Sequence, residues 1–406
     1  MVGSTGGPNI GQVVLVLQGA LGAAMILAAL IDVFQSVVTP RPVAGRLRIS
    51  RYTIRSLWAV CRWLARRTTN SRRGEALLGS FGPAIVLVFL LIWLVLLVLG
   101  YGLLVNAFAG QFRPHPTDLS TSIYVAGTSL FTIGFGDYVG TTSVSRVLML
   151  VAAATGLGVL ALVVTFLFSL YGAFQRREVA VVTLEASAGA PPSGVTLLET
   201  YAGAGIVQEL PALFQRWQSA AAEILDSHLA YPVLAYFRSS HDNDSWISSL
   251  GAVMDATTLV LTTIDGTPSQ VTQGVKGWAK LSRAVLGHCI EDMVIYFGFP
   301  DVHDAGVDLA EYRQARERLA LAGYHLRPEE EGWEAFRRLR AEYAGRVNAL
   351  AAYWASPPAQ WIGERFVLRR DAHDDHRPTP GVSNARLRRR ARQSAESGPP
   401  APENRT

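Results

Sequence analysis

The chain has 406 residues, half of them hydrophobic, and its mean hydropathy is positive. This composition excludes an ordinary soluble domain and indicates a membrane protein. The formal net charge of +5 is unevenly distributed, because residues 178–368 contain 23 acidic and 14 basic residues and the basic excess lies elsewhere. The soluble part is therefore acidic, and nucleic-acid binding is not expected of it.

Three apolar stretches are long enough to cross a bilayer, which takes roughly 20 residues. They are Ile10–Ile31, Pro83–Val105 within the uncharged segment Ala76–Phe112, and Val147–Gln175. No Lys or Arg precedes the first stretch, and its apolar run is too long for a signal peptide. We therefore expect it to be retained, so that residues 1–38 form an N-terminal transmembrane helix.

Residues 39–75 are predicted to be a basic cytosolic or interfacial segment, in which Arg41–Arg73 carries ten arginines and no acidic residue. Apolar residues recur at near-helical spacing between Arg48 and Arg67, which predicts a helix that lies on the inner leaflet and attracts anionic lipid. A voltage sensor is the alternative, but its arginines would recur at every third position of a membrane-long apolar helix. The intervals here are irregular, so the interfacial helix is favoured.

The arginines also predict the orientation in the membrane. Positive-inside reasoning places Arg41–Arg73 in the cytosol, the N-terminus outside, and everything after Arg176-Arg177 in the cytosol. Only Lys276 and Lys280 among the 37 basic residues are lysine, which suggests a GC-rich bacterial genome. We therefore expect a multi-pass protein of the bacterial inner membrane.

The loop between the second and third spans contains the hexamer Thr132-Ile133-Gly134-Phe135-Gly136-Asp137. Thr117 or Asp118 can cap a helix, and Leu119–Phe131 is long enough for a short helix that dips into the membrane. The carboxyl end of that helix would direct a partial negative charge toward the pore centre, where it stabilises a cation. Glycine at alternate positions allows successive carbonyls to turn toward one axis and replace an ion's hydration shell.

This region resembles the pore of two-span, one-pore-loop potassium channels over Gly82–Glu178, and the pore domain is assigned to residues 76–178. The resemblance implies that K⁺ is bound by oxygens of Thr132, Ile133, Gly134 and Phe135. It implies that Gly136 and Asp137 close the outer mouth of the selectivity filter. It also implies a gating hinge at Gly156 in the inner helix, with Gly158 close enough to share that role.

The chain departs from the family pattern near the filter. Phe135 replaces the commoner tyrosine, Phe131 stands where many members have a second threonine, Thr128 where some have a buried glutamate, and Tyr124 where a tryptophan often bonds the filter aspartate. Arg146 fits the pattern, because related bacterial channels often carry an arginine at this distance from that aspartate. Since backbone oxygens carry selectivity, we expect it to survive, whereas filter stability and inactivation can change.

Two other motifs bear on topology and packing. Asp32–Arg41 resembles a segment that follows an extra N-terminal span in a group of bacterial ion-channel-like proteins. Gly100-Tyr101-Gly102 also spells a filter triplet, but it follows Leu99 and no aspartate comes after it. It lies at the outer end of a span, where helix packing is its expected role.

The part after the third span is predicted to comprise a linker at residues 179–196, a helical cytosolic domain at 197–368 and a disordered tail at 369–406. Apolar residues recur at three- and four-residue spacing in five segments, which are Pro211–His228, Ser245–Ile264, Gln270–Phe297, Ala305–Ala322 and Pro328–Trp354. No strand followed by GxGxxG is present, so the nucleotide-binding regulatory domain common on bacterial potassium channels is not expected.

Other clusters have a simpler structural explanation. His288 and Asp292 share a helical face, but no third metal ligand is evident. Ser240–Ser245 lacks the glycine and the terminal glutamate of an EF-hand loop, so a helix cap before Trp246 explains it better. The arginines of residues 386–392 are better explained as part of a solvated tail than as a lipid contact. No nucleophile–base motif appears, so neither an enzyme nor a cofactor is expected.

The sequence thus predicts an all-α membrane protein: a potassium-channel pore of outer helix, pore helix, filter and inner helix, with an extra N-terminal transmembrane helix and an α-helical cytosolic domain. Each chain supplies one filter strand and an axial pore needs four, so a homotetramer is expected. The predicted function is passive K⁺ conduction, gated at the inner helix under the control of a signal on the cytosolic domain that the sequence does not identify. A ligand, a partner protein and contact with fellow subunits alone are the open alternatives for that domain. A weakly selective cation channel and a non-conducting membrane sensor or scaffold are the alternatives.

Overall fold

A computed structural model describes residues 10–39, 49–68, 70–239, 245–265, 273–356 and 360–361. Within these ranges the chain forms twelve α-helices: α1 (Ile10–Val33), α2 (Ile49–Arg67), α3 (Ser71–Ala107), α4 (Leu119–Leu130), α5 (Ser143–Ala188), α6 (Gly194–Gly203), α7 (Leu210–Ala230), α8 (Trp246–Thr262), α9 (Gln273–Phe297), α10 (Leu309–Leu321), α11 (Glu329–Ala341) and α12 (Ala344–Tyr353). A π-helical turn, Phe34–Val38, continues α1, and 3₁₀ turns occupy Ala109–Gln111, Val207–Glu209 and Pro232–Tyr236. Two short strands, β1 (Phe112–Arg113) and β2 (Val139–Gly140), pair antiparallel with Phe112 opposite Gly140.

Three of these helical segments are long and apolar enough to cross a membrane, namely Gly11–Val38, Arg72–Ala107 and Ser143–Ala188. These segments contain the three predicted spans, except that the first segment begins at Gly11, one residue after the predicted start at Ile10. The expectation of an all-α membrane protein is confirmed. The tail at 369–406 and residues 40–48 of the basic segment lie outside the described residues.

Small residues allow α1 and α3 to approach each other closely. A Cβ atom added to Gly22 would lie 2.6 Å from the carbonyl oxygen of Gly100, and one added to Gly100 would lie 2.8 Å from Ile26 Cγ1. On the other side of α3, a Cβ added to Gly102 would lie 2.7 Å from Ile123 Cγ1 on α4. The glycines of the Gly100–Gly102 triplet therefore serve helix packing, as predicted.

A buried carboxylate joins three helices. Asp32 on α1 is only 3% exposed, and its Oδ2 accepts a hydrogen bond of 2.7 Å from the indole Nε1 of Trp93 on α3. Its Oδ1 accepts one of 3.2 Å from the hydroxyl of Ser50 on α2. Because a buried carboxylate without partners would be costly, these bonds fix α2 to the membrane-spanning helices.

The predicted helix in the basic segment is present as α2, and it has two apolar faces. One face is buried against the protein and contains Ile54, Trp58, Cys61 and Ala65. The indole of Trp58 donates to the backbone oxygen of Tyr353 at 3.1 Å, so α2 lies between α3 and the helices after α5. The other face is exposed and apolar, with Leu57, Val60, Trp63 and Leu64.

The segment predicted as a linker differs in the structure. The helix α5 runs without a break to Ala188, and α6 begins at Gly194, so only residues 189–193 connect them. Val181, Leu184 and Val195 are buried in the core. Residues 178–188 contain no glycine or proline, and the helix stops only at Gly189, whose φ of +82° suits a helix end.

The helices after α5 form a domain around α8. Every residue of α8 except Leu261 is buried, and α8 packs against α6, α9, α11 and α12. Its Asp255 pairs with the fully buried Arg340, with Nε and Oδ1 2.8 Å apart, and accepts a hydrogen bond of 2.5 Å from the Tyr343 hydroxyl. The buried charges are thus paired and hydrogen-bonded.

The predicted helical segments of this domain correspond to observed helices with shifted boundaries. The segment Ala305–Ala322 becomes helical only at Leu309, where Asp308 provides the cap. The segment Pro328–Trp354 is two helices, α11 and α12, separated by a turn at Glu342 and Tyr343. Helix α6 begins within the segment that was predicted as a linker.

Candidate ion-conduction site

The pore helix α4 leads directly into the hexamer. Asp118 caps its first turn, since Oδ1 accepts a hydrogen bond of 2.7 Å from the backbone N of Thr121. After the last turn, the backbone N atoms of Ile133 and Gly134 both donate to the carbonyl oxygen of Thr128, at 2.8 and 3.2 Å. The start of the hexamer is therefore fixed to the end of α4.

The backbone of the hexamer alternates between two regions of dihedral space. Thr132, Gly134 and Gly136 have φ angles of +55°, +60° and +78°, and the residues between them do not have positive φ. A residue with a Cβ atom costs free energy in the left-handed region, so glycine is suited to positions 134 and 136. Thr132, which has a Cβ atom, adopts a strained conformation. Such alternation is the pattern that lets neighbouring carbonyls turn to the same side.

Tyr124 on α4 contacts the last residues of the hexamer. Its hydroxyl donates to Oδ2 of Asp137 at 2.9 Å, and its ring stacks on Phe135 with a centroid distance of 6.4 Å. Oδ1 of Asp137 accepts from the backbone N of Tyr138 at 3.2 Å. The sequence marked Tyr124 as a departure from tryptophan, and in the structure its hydroxyl makes the bond to Asp137.

The chain beyond the hexamer is fastened to the start of the inner helix α5. Arg146 Nε donates to the carbonyl oxygen of Gly140 at 3.1 Å. Thr142 caps α5 through a reciprocal pair of bonds with Ser145, in which each side chain accepts from the other residue's backbone N. The pairing of β1 with β2 joins the chain after the hexamer to the chain before α4. These contacts hold the segment that follows the hexamer.

The inner helix touches the end of the pore helix at Gly156. A Cβ atom added there would lie 2.8 Å from the carbonyl carbon of Leu130 and closer still to its oxygen. One added to Gly158 would have nothing within 4 Å. The helix α5 continues through both positions. The structure thus gives Gly156 a packing role that the sequence did not reveal, and its role as a hinge stays a prediction.

Arg177 and Glu178, which the sequence marked only as the end of the membrane portion, attach α5 to the following domain. The buried Arg177 guanidinium donates to the carbonyl oxygens of Leu234 and Phe237, at 3.0 and 2.8 Å, and pairs with Glu178 at 3.2 Å. It also lies 3.3 Å from Nε2 of His228. Burial, together with this guanidinium, lowers the pKa of His228 to about 3, so the imidazole is neutral.

The remaining candidates do not form a reactive centre. His288 and Asp292 pair at 3.3 Å on the exposed side of α9, and among the described residues no group of three potential metal ligands occurs. Ser245 caps α8, as predicted for that end of the oxygen-rich segment, through a bond of 3.2 Å from the backbone N of Ile247. Residues 240–244 and the arginines of 386–392 lie outside the described ranges.

Comparison with known proteins bears on the region that contains this loop. Residues 85–172 match the family model described as "Ion channel". The matched region begins within α3, includes α4 and the hexamer, and ends within α5. A relative in Bacillus subtilis, described as the uncharacterized membrane protein YdjJ, is 23% identical over 248 residues, which cover 59% of this chain and 68% of the relative. No solved structure matches the chain significantly. The match supports ion-channel activity and a membrane location, and neither description names an ion.

Proposed function

We propose that the protein is a K⁺ channel whose filter is built from the Thr132–Asp137 hexamer. The observation that carries this proposal is the alternation of left-handed φ angles at Thr132, Gly134 and Gly136 at the carboxyl end of a short helix. Carbonyl oxygens presented in this way can replace the hydration shell of K⁺. The end of α4 adds the partial negative charge of its last carbonyls.

The conducting unit of the proposal is a homotetramer. One chain supplies Thr132, Ile133, Gly134 and Phe135 as K⁺ ligands from a single side, and four copies around an axis complete the coordination shell. The side chains of Ile133 and Phe135 are more than half exposed in the single chain. Neighbouring copies would cover them. Gly136 and Asp137 close the outer mouth of this pore.

The proposed location is the bacterial inner membrane, with the N-terminus outside and the C-terminus in the cytosol. The arginines of α2, beside the inner ends of α1 and α3, support this orientation through the positive-inside rule. The hexamer then enters from the outer face. The exposed apolar face of α2 is suited to contact with lipid, and its arginines are suited to anionic headgroups.

Gating in this proposal takes place at α5 and is controlled through the cytosolic domain. Arg177 is hydrogen-bonded to the carbonyl oxygens of Leu234 and Phe237, so a movement of the cytosolic domain would be transmitted to the inner helix. Gly156 and Gly158 are the positions at which the helix would bend. No catalytic reaction is part of the proposal.

Ion flux in proteoliposomes tests the proposal against its two alternatives. Under a K⁺/Na⁺ gradient, the reversal potential should lie near that of K⁺, and equal permeability of the two ions would instead support a weakly selective cation channel. Gly134→Ala should abolish flux, because alanine disfavours a φ of +60°. Gly110→Ala, at a site with nothing within 4 Å of an added Cβ, is the matched control. Equal flux in wild type and Gly134→Ala would support the non-conducting scaffold.

A further inference from the structure

A cavity of about 80 Å³ lies where the end of α1 and the start of α2 meet the middle of α3, together with residues of α5, α7, α9 and the 3₁₀ turn Pro232–Tyr236. Its polar wall contains Ser36, Ser50, Arg51 and Arg55. The two serine hydroxyls lie 3.3 Å apart. The guanidinium groups of this wall are donors that suit a phosphate group, whereas the Ser50 hydroxyl already donates to Asp32.

The two arginines of this wall are not neutralised by any carboxylate of the described residues. Within the described ranges, neither Arg51 nor Arg55 has a carboxylate at salt-bridge distance, and Arg55 makes a hydrogen bond of 3.4 Å to the carbonyl oxygen of Phe297. The nearby carboxylate of Asp32 is engaged by Trp93 and Ser50. The cavity therefore has an excess of positive charge that an anion can balance.

The apolar wall of the cavity belongs to the membrane-spanning helices. Phe89 and Trp93 on α3 and Phe166 on α5 line it, and Tyr231 lies beside Phe166 with a ring-centroid distance of 5.7 Å. A free phosphate would leave this aromatic surface without a partner. A molecule with an anionic head and an apolar tail would satisfy both walls.

We propose that this cavity is a binding site for one anionic phospholipid of the inner leaflet, with its phosphate at Arg51 and Arg55. The proposal depends on the membrane orientation proposed above and is independent of conduction. The cavity also borders the 3₁₀ turn that supplies the Leu234 carbonyl to Arg177. A bound lipid would therefore stabilise the junction between the inner helix and the cytosolic domain.

The experiment measures binding to purified, delipidated full-length protein by native mass spectrometry and by the rise in its melting temperature. Phosphatidylglycerol should bind and stabilise, and phosphatidylcholine with the same acyl chains should do so much less. Arg51→Gln should weaken phosphatidylglycerol binding about five- to tenfold. Arg73→Gln removes the same charge at a residue that does not line the cavity, and its effect should stay within about twofold.

Three results would overturn the proposal. Equal losses in Arg51→Gln and Arg73→Gln would show general attraction of lipid to a basic segment. Equal binding of phosphatidylglycerol and phosphatidylcholine would show that the headgroup charge has no role. Competition by inorganic phosphate at the concentration of the lipid would identify a site for soluble anions. Gly134→Ala should keep its lipid binding, so a protein that binds lipid and does not conduct would contradict only the proposed function.

Discussion

Replacing Gly156 by alanine brings a methyl group into the contact between the inner helix and the pore helix. The added carbon would lie 2.8 Å from the carbonyl carbon of Leu130, and closer still to its oxygen, whereas ordinary contact begins at 3.4 Å. Since both atoms belong to the backbone, no side chain can turn away and the helices must separate. Overpacking of this kind costs about 1–3 kcal/mol. That cost exceeds the gain of up to about 1 kcal/mol that alanine has over glycine inside a helix.

The displacement should reach the filter, because Leu130 is two residues from Thr132 and the Thr128 carbonyl holds the amides of Ile133 and Gly134. We expect Gly156→Ala to lower the melting temperature and to move the reversal potential toward that of Na⁺. Proteoliposome flux under a K⁺/Na⁺ gradient and thermal unfolding in detergent measure the two effects. Both measurements use the same preparation, so loss of folded protein is separated from loss of selectivity.

Gly158→Ala is the matched control, because an added Cβ there has nothing within 4 Å. It should leave selectivity unchanged and should be neutral or stabilising by up to about 1 kcal/mol. The reasoning would be refuted if Gly156→Ala kept the wild-type melting temperature and reversal potential. A change in opening alone, shared by both variants, would point to the hinge instead of the packing contact.

The remaining predictions concern three other contacts. Tyr124→Phe removes the hydrogen bond to Asp137, so K⁺ flux should decay faster in time courses, whereas Tyr124→Trp should keep the wild-type decay if the indole reaches the same carboxylate. Arg177→Gln leaves buried groups without partners and should destabilise the protein by about 3 kcal/mol, measured by chemical unfolding, whereas the exposed Arg176→Gln should change little. A similar loss of stability in Arg177→Gln and Arg176→Gln would contradict the role of Arg177 in joining α5 to the following domain. The neutral imidazole of His228 contributes fully to the free energy of unfolding above about pH 6.5, because its pKa in the folded protein is lowered to about 3. Below about pH 6.5 the free energy of unfolding should fall by about 1.4 kcal/mol for each pH unit. Melting temperatures at pH 7 and pH 5 should therefore differ more in the wild type than in His228→Gln. An equal difference in the two proteins would contradict the lowered pKa of His228.

The parts of the pore that the sequence predicted are those determined by local chemistry. Glycine spacing predicted the backbone of the hexamer because positive φ is a property of single residues. Thr117 or Asp118 was predicted as the helix cap because either side chain can reach the amides of the first turn, and the structure has Asp118 in that role. The spans followed from the length of uncharged sequence that a bilayer requires.

The features that the sequence did not reveal depend on distances between segments far apart in the chain. Gly156 was assigned from its position after the filter, and only the structure shows that it touches Leu130. Arg177 was taken as an ordinary charge at a membrane boundary, because nothing nearby in sequence indicates two carbonyls some sixty residues later. The linker was inferred from Gly189 and the prolines after it, whereas those residues only turn the chain between two packed helices.

The complete burial of α8 has a consequence for how the protein is made. Three of the helices that pack against it, α9, α11 and α12, follow it in the chain, so a ribosome that has just released Thr262 has produced an apolar helix without a large part of its cover. At 17 residues, α8 is shorter than the roughly 20 needed to cross a bilayer. Until about residue 353 is synthesised, α8 must be shielded by chaperones or exposed to aggregation. Messages truncated within α11 should therefore yield chains that are degraded, although the whole pore has already been translated.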